Sequence, residues 1–251
     1  MSRVAFEPLE RVRRQWTTLG EADPLWAILT QPDKRGGAWE HSAFFETGVS
    51  EINASITKAQ GFGPVHFGTA VDFGCGVGRL SQALAKHFER VVGVDISTSM
   101  INAAVGLNRC PERCEYLHNL TADLAVLADA SADLVYSSIT LQHMIPALAH
   151  QYIAEFFRVA RSGAQVIFQL PSQPRSNTLQ RLKTVLPIRL TNLLWRLRTR
   201  SPEAIESYYT PEASVRRLVE QSGGTVALVE RDLNGPPGWE SRKYFCIRTS
   251  R

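Results

Sequence analysis

The chain has 251 residues, 44% of them hydrophobic, and a formal net charge of +4. That much apolar material supports one substantial core of ordinary α/β size, which excludes a disordered chain and requires no second unit. No apolar run reaches 18 residues and no charged-then-apolar leader is visible, so the expectation is a cytoplasmic protein without a membrane span or signal peptide.

Residues 1–65 give helical stretches broken at Pro24, Pro32 and Gly36-Gly37. From 66 to 170, apolar runs of strand length alternate with helical patterns, as in a mostly parallel, doubly wound sheet. Residues 171–210 return to helix-like segments. Within 211–251, Pro211 to Ser222 reads as a helix closed by Gly223-Gly224, and Thr225–Val229 and Lys243–Thr249 read as a closing strand pair.

The segment Val71-Asp72-Phe73-Gly74-Cys75-Gly76-Val77-Gly78 ends an apolar run in three glycines within five positions. Glycine permits positive φ and close backbone approach and costs entropy elsewhere, so this is a binding turn after a strand. Arg79 to His87 reads as the following helix. The dinucleotide spacing Gly-x-Gly-x-x-Gly is not met, because the sixth position from Gly74 is Arg79, which disfavours a nicotinamide or flavin. The next strand, Arg90 to Asp95, ends in a carboxylate about 20 residues past the turn, where an acid accepts hydrogen bonds from ribose hydroxyls.

Asp72-Phe-Gly-Cys-Gly-Val-Gly78 followed by Val94-Asp95-Ile-Ser97 resembles the first two motifs of class I S-adenosylmethionine-dependent methyltransferases. Cys114–His118 with Asn119, Ala132–Ser137, and Arg158–Gly163 with Gln165–Phe168 continue the likeness through roughly residues 70–170. Asp23–Leu29 and Trp39–Gly48 resemble the aromatic segment preceding the cofactor domain in a bacterial small-molecule or glycan-methylating subgroup. The resemblance implies a Rossmann-like sheet of seven strands, mostly parallel with a terminal antiparallel hairpin. It implies one domain: an N-terminal helical segment (1–65), a cofactor-binding core (66–170), a basic helical lid (171–210) and a closing helix and strand pair (211–251).

The cofactor implied is S-adenosylmethionine, contacted by Asp72, Gly74, Cys75, Gly76, Arg79, Asp95, Ile96, Met100, Asn119, Leu120 and Ser137. Substrate contacts belong to the loop after the fourth strand, since ligands bind at strand carboxyl ends in open α/β sheets. His143 there is the candidate general base, as imidazole titrates near neutral pH, with pocket-shaping as its alternative role. Gln142, Tyr209 and Trp239 are candidate acceptor contacts.

No acidic residue lies between Glu155 and Glu203, whereas Arg158, Arg161, Arg175, Arg181, Lys183, Arg189, Arg196, Arg198 and Arg200 do. With Leu190, Leu193, Leu194, Trp195 and Leu197 this reads as basic amphipathic helices near the acceptor. A solvated cationic face, an anionic small-molecule or glycan acceptor, and a lipid-linked acceptor at a membrane surface each fit; nucleic acid is disfavoured. Cys75, Cys110, Cys114 and Cys246 make neither a disulfide framework nor a zinc site, and no metal is expected. The combined expectation is oxygen methylation of a small or saccharide-type acceptor, with nitrogen or RNA methylation, or a non-catalytic cofactor-binding scaffold, as alternatives.

Overall fold

The computed structural model describes residues 3–174 and 205–249, with side chains from residue 7 onward. Seven strands form one sheet: β1 (Thr69–Phe73), β2 (Arg90–Asp95), β3 (Cys114–His118), β4 (Ala132–Ser137), β5 (Ala160–Pro174), β6 (Gly224–Asp232) and β7 (Trp239–Arg248). Their order is β3-β2-β1-β4-β5-β7-β6. The first five are parallel, and β7 runs antiparallel to both β5 and β6. Central strands covered on both faces read as continuous apolar runs, and β4 is buried at every position.

Because β2 and β3 lie on one side of β1 and β4 and β5 on the other, the order reverses at the β1/β4 junction. Crossovers there leave to opposite faces and open a crevice at the strand carboxyl ends.

Among the described residues, seven α-helices surround the sheet: α1 (Arg3–Ala22), α2 (Pro24–Ile28), α3 (His41–Gln60), α4 (Arg79–Leu84), α5 (Thr98–Gly106), α6 (Pro146–Val159) and α7 (Glu212–Gln221). On one face, Ile52, Ile56 and Ala59 of α3 pack with Leu80 and Leu84 of α4 on Ala70, Leu134 and Phe245. On the other, Tyr152 and Phe156 of α6 sit against Phe73 at ring separations of 4.5 and 5.1 Å. Leu9 and Val12 of α1 join that second core, so the helix lies over it.

Asp23 shapes the leader twice. Its carboxylate caps α2 through Trp26 N–H, and it also accepts N–H groups of Gly36 and Gly37 at 2.7 and 3.1 Å. Both glycines have φ near +77°, which is why that break is a glycine pair.

Several elements differ from the sequence expectation. The helix after the turn stops at Leu84, short of His87. β5 continues through Leu170-Pro171 to Pro174, because Pro171 falls beside a register shift in its pairing with β7 and the ladder tolerates a missing donor there. The final strands are longer than expected, and β7 is the one that adds to β5. The expected basic helical lid lies mostly outside the described residues. Of the arginines in the acid-free run after Glu155, Arg158 pairs with Glu155 at 2.8 Å and Arg161 with Asp133 at 3.0 Å, so both are neutralised by acids outside that run.

Gly48 lies where α3 crosses α4, and a Cβ there would come within 2.5 Å of the Arg79 carbonyl oxygen. Gly→Ala inside a helix ordinarily stabilises by about 1 kcal/mol. Here Gly48→Ala is expected to destabilise by about 1–3 kcal/mol through overpacking, read from the urea midpoint.

Candidate active site

The turn between β1 and α4 hooks over the end of β2. Gly74 and Cys75 both donate their N–H groups to the Val94 carbonyl, at 2.7 and 3.1 Å. Gly74, Gly76 and Gly78 have φ of +74°, +52° and +82°, conformations that side chains rarely adopt. Space excludes a side chain as well, since a Cβ at Gly74 would strike Thr140, one at Gly76 would meet Ile28 at 2.5 Å, and one at Gly78 would strike Tyr116.

Asp95 completes the turn. Its Oδ2 accepts Gly76 N–H at 2.9 Å and its Oδ1 accepts Ser97 N–H at 2.8 Å. Burial raises its pKa above the usual carboxylate value, opposed by those N–H groups. A carboxylate accepts up to about four hydrogen bonds, so both oxygens keep capacity for further donors.

A cavity with about 670 Å³ of empty space, open solvent included, runs along this turn. Six of the residues expected at the cofactor border it: Gly74, Gly76, Asp95, Ile96, Met100 and Asn119. So do Val12 and Trp16 of α1, Ile28 at the end of α2, the loop Ser138-Ile139-Thr140, Met144 and Tyr152. The α1 and Ile28 contributions are not legible in sequence, because an amphipathic helix shows its apolar face but not the surface it covers. Tyr152 walls the cavity while donating its hydroxyl to Thr121 O at 2.7 Å.

Other expected contacts are placed elsewhere. Cys75 is buried with its sulfur 3.7 Å from the Gly76 carbonyl oxygen, facing the interior. Arg79 turns away from this cavity to Glu51, at 2.9 Å, and Thr47, at 3.3 Å. Asp72 lies behind the turn, where one oxygen accepts the Ser81 hydroxyl at 2.6 Å and the other is buried without a partner. Asn119 borders the cavity but spends its carboxamide on Thr121 and Asp123, locking its own turn. Leu120 is 55% exposed on the outside of that turn. Ser137 is buried off the cavity, and its neighbour Ser138 takes the bordering position as the strand pleat alternates.

His143 is corrected most strongly. It does not border the cavity, and its Nδ1 donates to the Glu206 carbonyl at 2.8 Å, which leaves Nε2 to accept from Gln142 Nε2 at 3.1 Å. Burial lowers its pKa to about 4, and Trp16 packs edge-on against it at 5.0 Å. The ring is therefore neutral with both nitrogens engaged, the arrangement of a pocket-shaping side chain.

Gln142 is likewise internal. Gln169 donates to its Oε1 at 3.2 Å and accepts Ile139 N–H, also at 3.2 Å. This chain holds Ile139 at φ +60°, a strained setting for a β-branched residue, at the cavity wall. Tyr209 and Trp239 pack on each other at 5.3 Å and border no described cavity. Among the described residues, no group of three or more His, Cys, Asp or Glu is placed to hold a metal.

Residues 71–168 match the family model described as "Methyltransferase domain". Over those residues the chain carries a class I S-adenosylmethionine-dependent methyltransferase domain. A malonyl-[acyl-carrier protein] O-methyltransferase of Hamiltonella defensa subsp. Acyrthosiphon pisum is 31% identical over 136 residues, 51% of this chain and 50% of that protein. The match thus spans about half the length of that relative.

Two solved structures share the methyltransferase's fold. Magnesium protoporphyrin IX methyltransferase from Synechocystis PCC 6803 with bound S-adenosylhomocysteine superposes with a TM-score of 0.64 at 20% identity, covering 96% of this chain and 99% of that one. A Methanosarcina mazei S-adenosylmethionine-dependent methyltransferase gives 0.60 at 20% identity, over 76% and 97%.

The residues fit this cofactor. The glycine cradle brings backbone beside the cavity, Asp95 can take the two ribose hydroxyls, and Ile96 and Met100 offer apolar walls to the adenine.

Burial raises Asp72 to a pKa of about 7. A carboxyl raised above its unfolded value contributes stability that is complete below the usual carboxylate range and is lost as pH rises through about 7. Asp72→Asn is therefore expected to melt above wild type, with a gain that grows from pH 5 to 7 and levels off beyond, in calorimetric scans of cofactor-free protein.

Proposed function

We propose that the methyltransferase moves the methyl group of S-adenosylmethionine to an oxygen of a small-molecule or saccharide-type acceptor. The observation carrying this reading is Asp95: a half-buried carboxylate, oriented by the glycine turn, in a cavity that ends at the Ser138–Thr140 loop. The O-methyltransferase named among the relatives supports oxygen as the receiving atom.

The sulfonium supplies an electrophilic methyl group, so the protein's task is alignment and exclusion of water. Asp95 and the turn fix one end of the cofactor. Trp16, Val12 and Ile28 roof the cavity and reduce its contact with solvent. Ile139, braced through Gln169 and Gln142, sets the wall where the acceptor approaches.

Of the described residues bordering the cavity, Asp95 and Tyr152 are the ionisable ones, and Tyr152 already donates its proton to Thr121 O. With Asp95 given to the ribose, no described side chain at the cavity takes the acceptor's proton, and His143 acts by bracing the loop.

Calorimetric titration tests the cofactor half. S-adenosylhomocysteine is expected to bind wild type at micromolar Kd and Asp95→Ala at least tenfold more weakly; equal affinity would sink the assignment of Asp95. For the second half, His143→Gln is expected to keep kcat/KM within about tenfold, whereas loss of a true general base costs roughly 10²–10⁴-fold.

A further inference from the structure

With the ribose and adenine assigned to Asp95, Ile96 and Met100, the remaining lining of the cofactor cavity is left to the acceptor. Val12, Trp16, Phe73, Ile139, Met144 and Tyr152 make that part an apolar and aromatic enclosure. Among the described residues no cation borders it, and neither ionisable group on its border is free to act as a base. Asp95 accepts the Gly76 and Ser97 N–H groups and is given to the ribose, while the Tyr152 hydroxyl donates to Thr121 O and burial pushes its pKa up.

Two further groups come close to the wall, and neither takes a proton at neutral pH. His143 packs against Trp16, and burial lowers its pKa to about 4. Glu51 interacts with the Ser138 hydroxyl, and although burial raises its pKa, Arg79 at 2.9 Å and Lys243 at 3.5 Å hold it at about 2. Lys243 is itself paired with Asp232 at 3.6 Å. The stretch 175–202, outside the described residues, holds no Asp, Glu, His, Cys or Tyr in its sequence.

An apolar enclosure without a base treats nucleophiles unequally. An alcohol oxygen that attacks a sulfonium methyl becomes cationic until a base removes its proton, and an amine is protonated at neutral pH and must shed a proton first. A carboxylate arrives with no proton to lose. Its attack joins a carboxylate oxygen to the methyl carbon as the carbon–sulfur bond breaks, and the electron pair of that bond stays on sulfur. Anion and cation thereby become a neutral ester and a neutral thioether, and no proton moves. Opposite charges attract about four times more strongly at an effective dielectric near 20 than in water, so the cofactor's own positive charge offsets the cost of bringing an anion between dry walls. Charge that disappears in the transition state needs no polar group to stabilise it.

We propose that the acceptor is a carboxylate on an apolar stem, received already ionised and converted to its methyl ester, with the stem against Trp16, Ile139 and Met144. The proposal rests on the methyl-transfer reading and narrows its acceptor class.

Sinefungin carries an ammonium where S-adenosylmethionine has its sulfonium, and S-adenosylhomocysteine is uncharged there, so the two analogues isolate this attraction without turnover. Saturation-transfer NMR titrations at pH 7, on the full chain loaded with either analogue, use octanoate and 3-phenylpropanoate as probes against octan-1-ol and octylamine. Both carboxylates are expected to bind the sinefungin complex at least fivefold more tightly than the S-adenosylhomocysteine complex, whereas octanol binds the two alike. Trp16→Glu sets a fixed anion in the half-buried wall and is expected to cost the carboxylates at least fivefold relative to Trp16→Gln, which removes the ring alone. Should either variant unfold, the wild-type comparison decides. Absent carboxylate binding, equal carboxylate binding to the two complexes, equal losses in the two Trp16 variants, or a preference of octanol or octylamine for the sinefungin complex would overturn the proposal. Failure of both analogues to bind wild type would instead count against the methyl-transfer reading, so the two failures are separable.

Discussion

One carbonyl, that of Val94, anchors the site. Because it accepts two successive N–H groups from the turn after β1, the turn is pulled over the end of β2, and Gly76 arrives where its own N–H reaches Asp95. Everything later depends on that closeness. The cavity exists because three glycines leave no side chains in the space the turn encloses, and its far wall exists because Thr140 and Ile28 come up against those glycines. A carboxylate that binds ligand is thus held by the same backbone that makes room for ligand, so binding capacity and local structure are not independently variable.

The sheet contributes position and the helices contribute enclosure. Strand order reverses between β1 and β4, and the loops leaving these strands carry the turn and Ser138–Thr140 to one edge. Strain is confined there: Ile139 adopts a left-handed conformation that its side chain disfavours, held by a chain of carboxamides from Gln169 through Gln142 to His143. Buried carboxamides are suited to this because each donates and accepts in fixed directions without carrying charge.

The parts legible in sequence were those where backbone chemistry dictates residue type. Glycines forced by positive φ, an acid ending the next strand and apolar runs of strand length located β1 to β4 and six residues of the cofactor cavity. Side-chain direction was not legible. Asp72, Cys75 and Arg79 share the motif's sequence but point behind or away from the cavity, Asp72 toward Ser81 and Arg79 toward Glu51. His143 looked like a base by type and loop position, and only its partners, Glu206 O and Gln142, show that both nitrogens are used. Long-range roofing by Trp16 and the assembly of Glu51, Lys243 and Asp232 from three distant elements leave no local signature at all.

The position of α1 also bears on how the chain assembles during synthesis. Its apolar side docks on groups that come much later in the sequence: Ser99, which donates to the Thr17 carbonyl at 2.8 Å across 82 positions, and beyond it His143. At a translation rate of roughly 5–20 residues per second, an interval of that size lasts roughly 4–16 seconds. During that time an amphipathic helix has left the ribosome with no sheet to cover. The roof of the cavity is therefore a segment whose oily face is on offer to chaperones before the site it closes has been made.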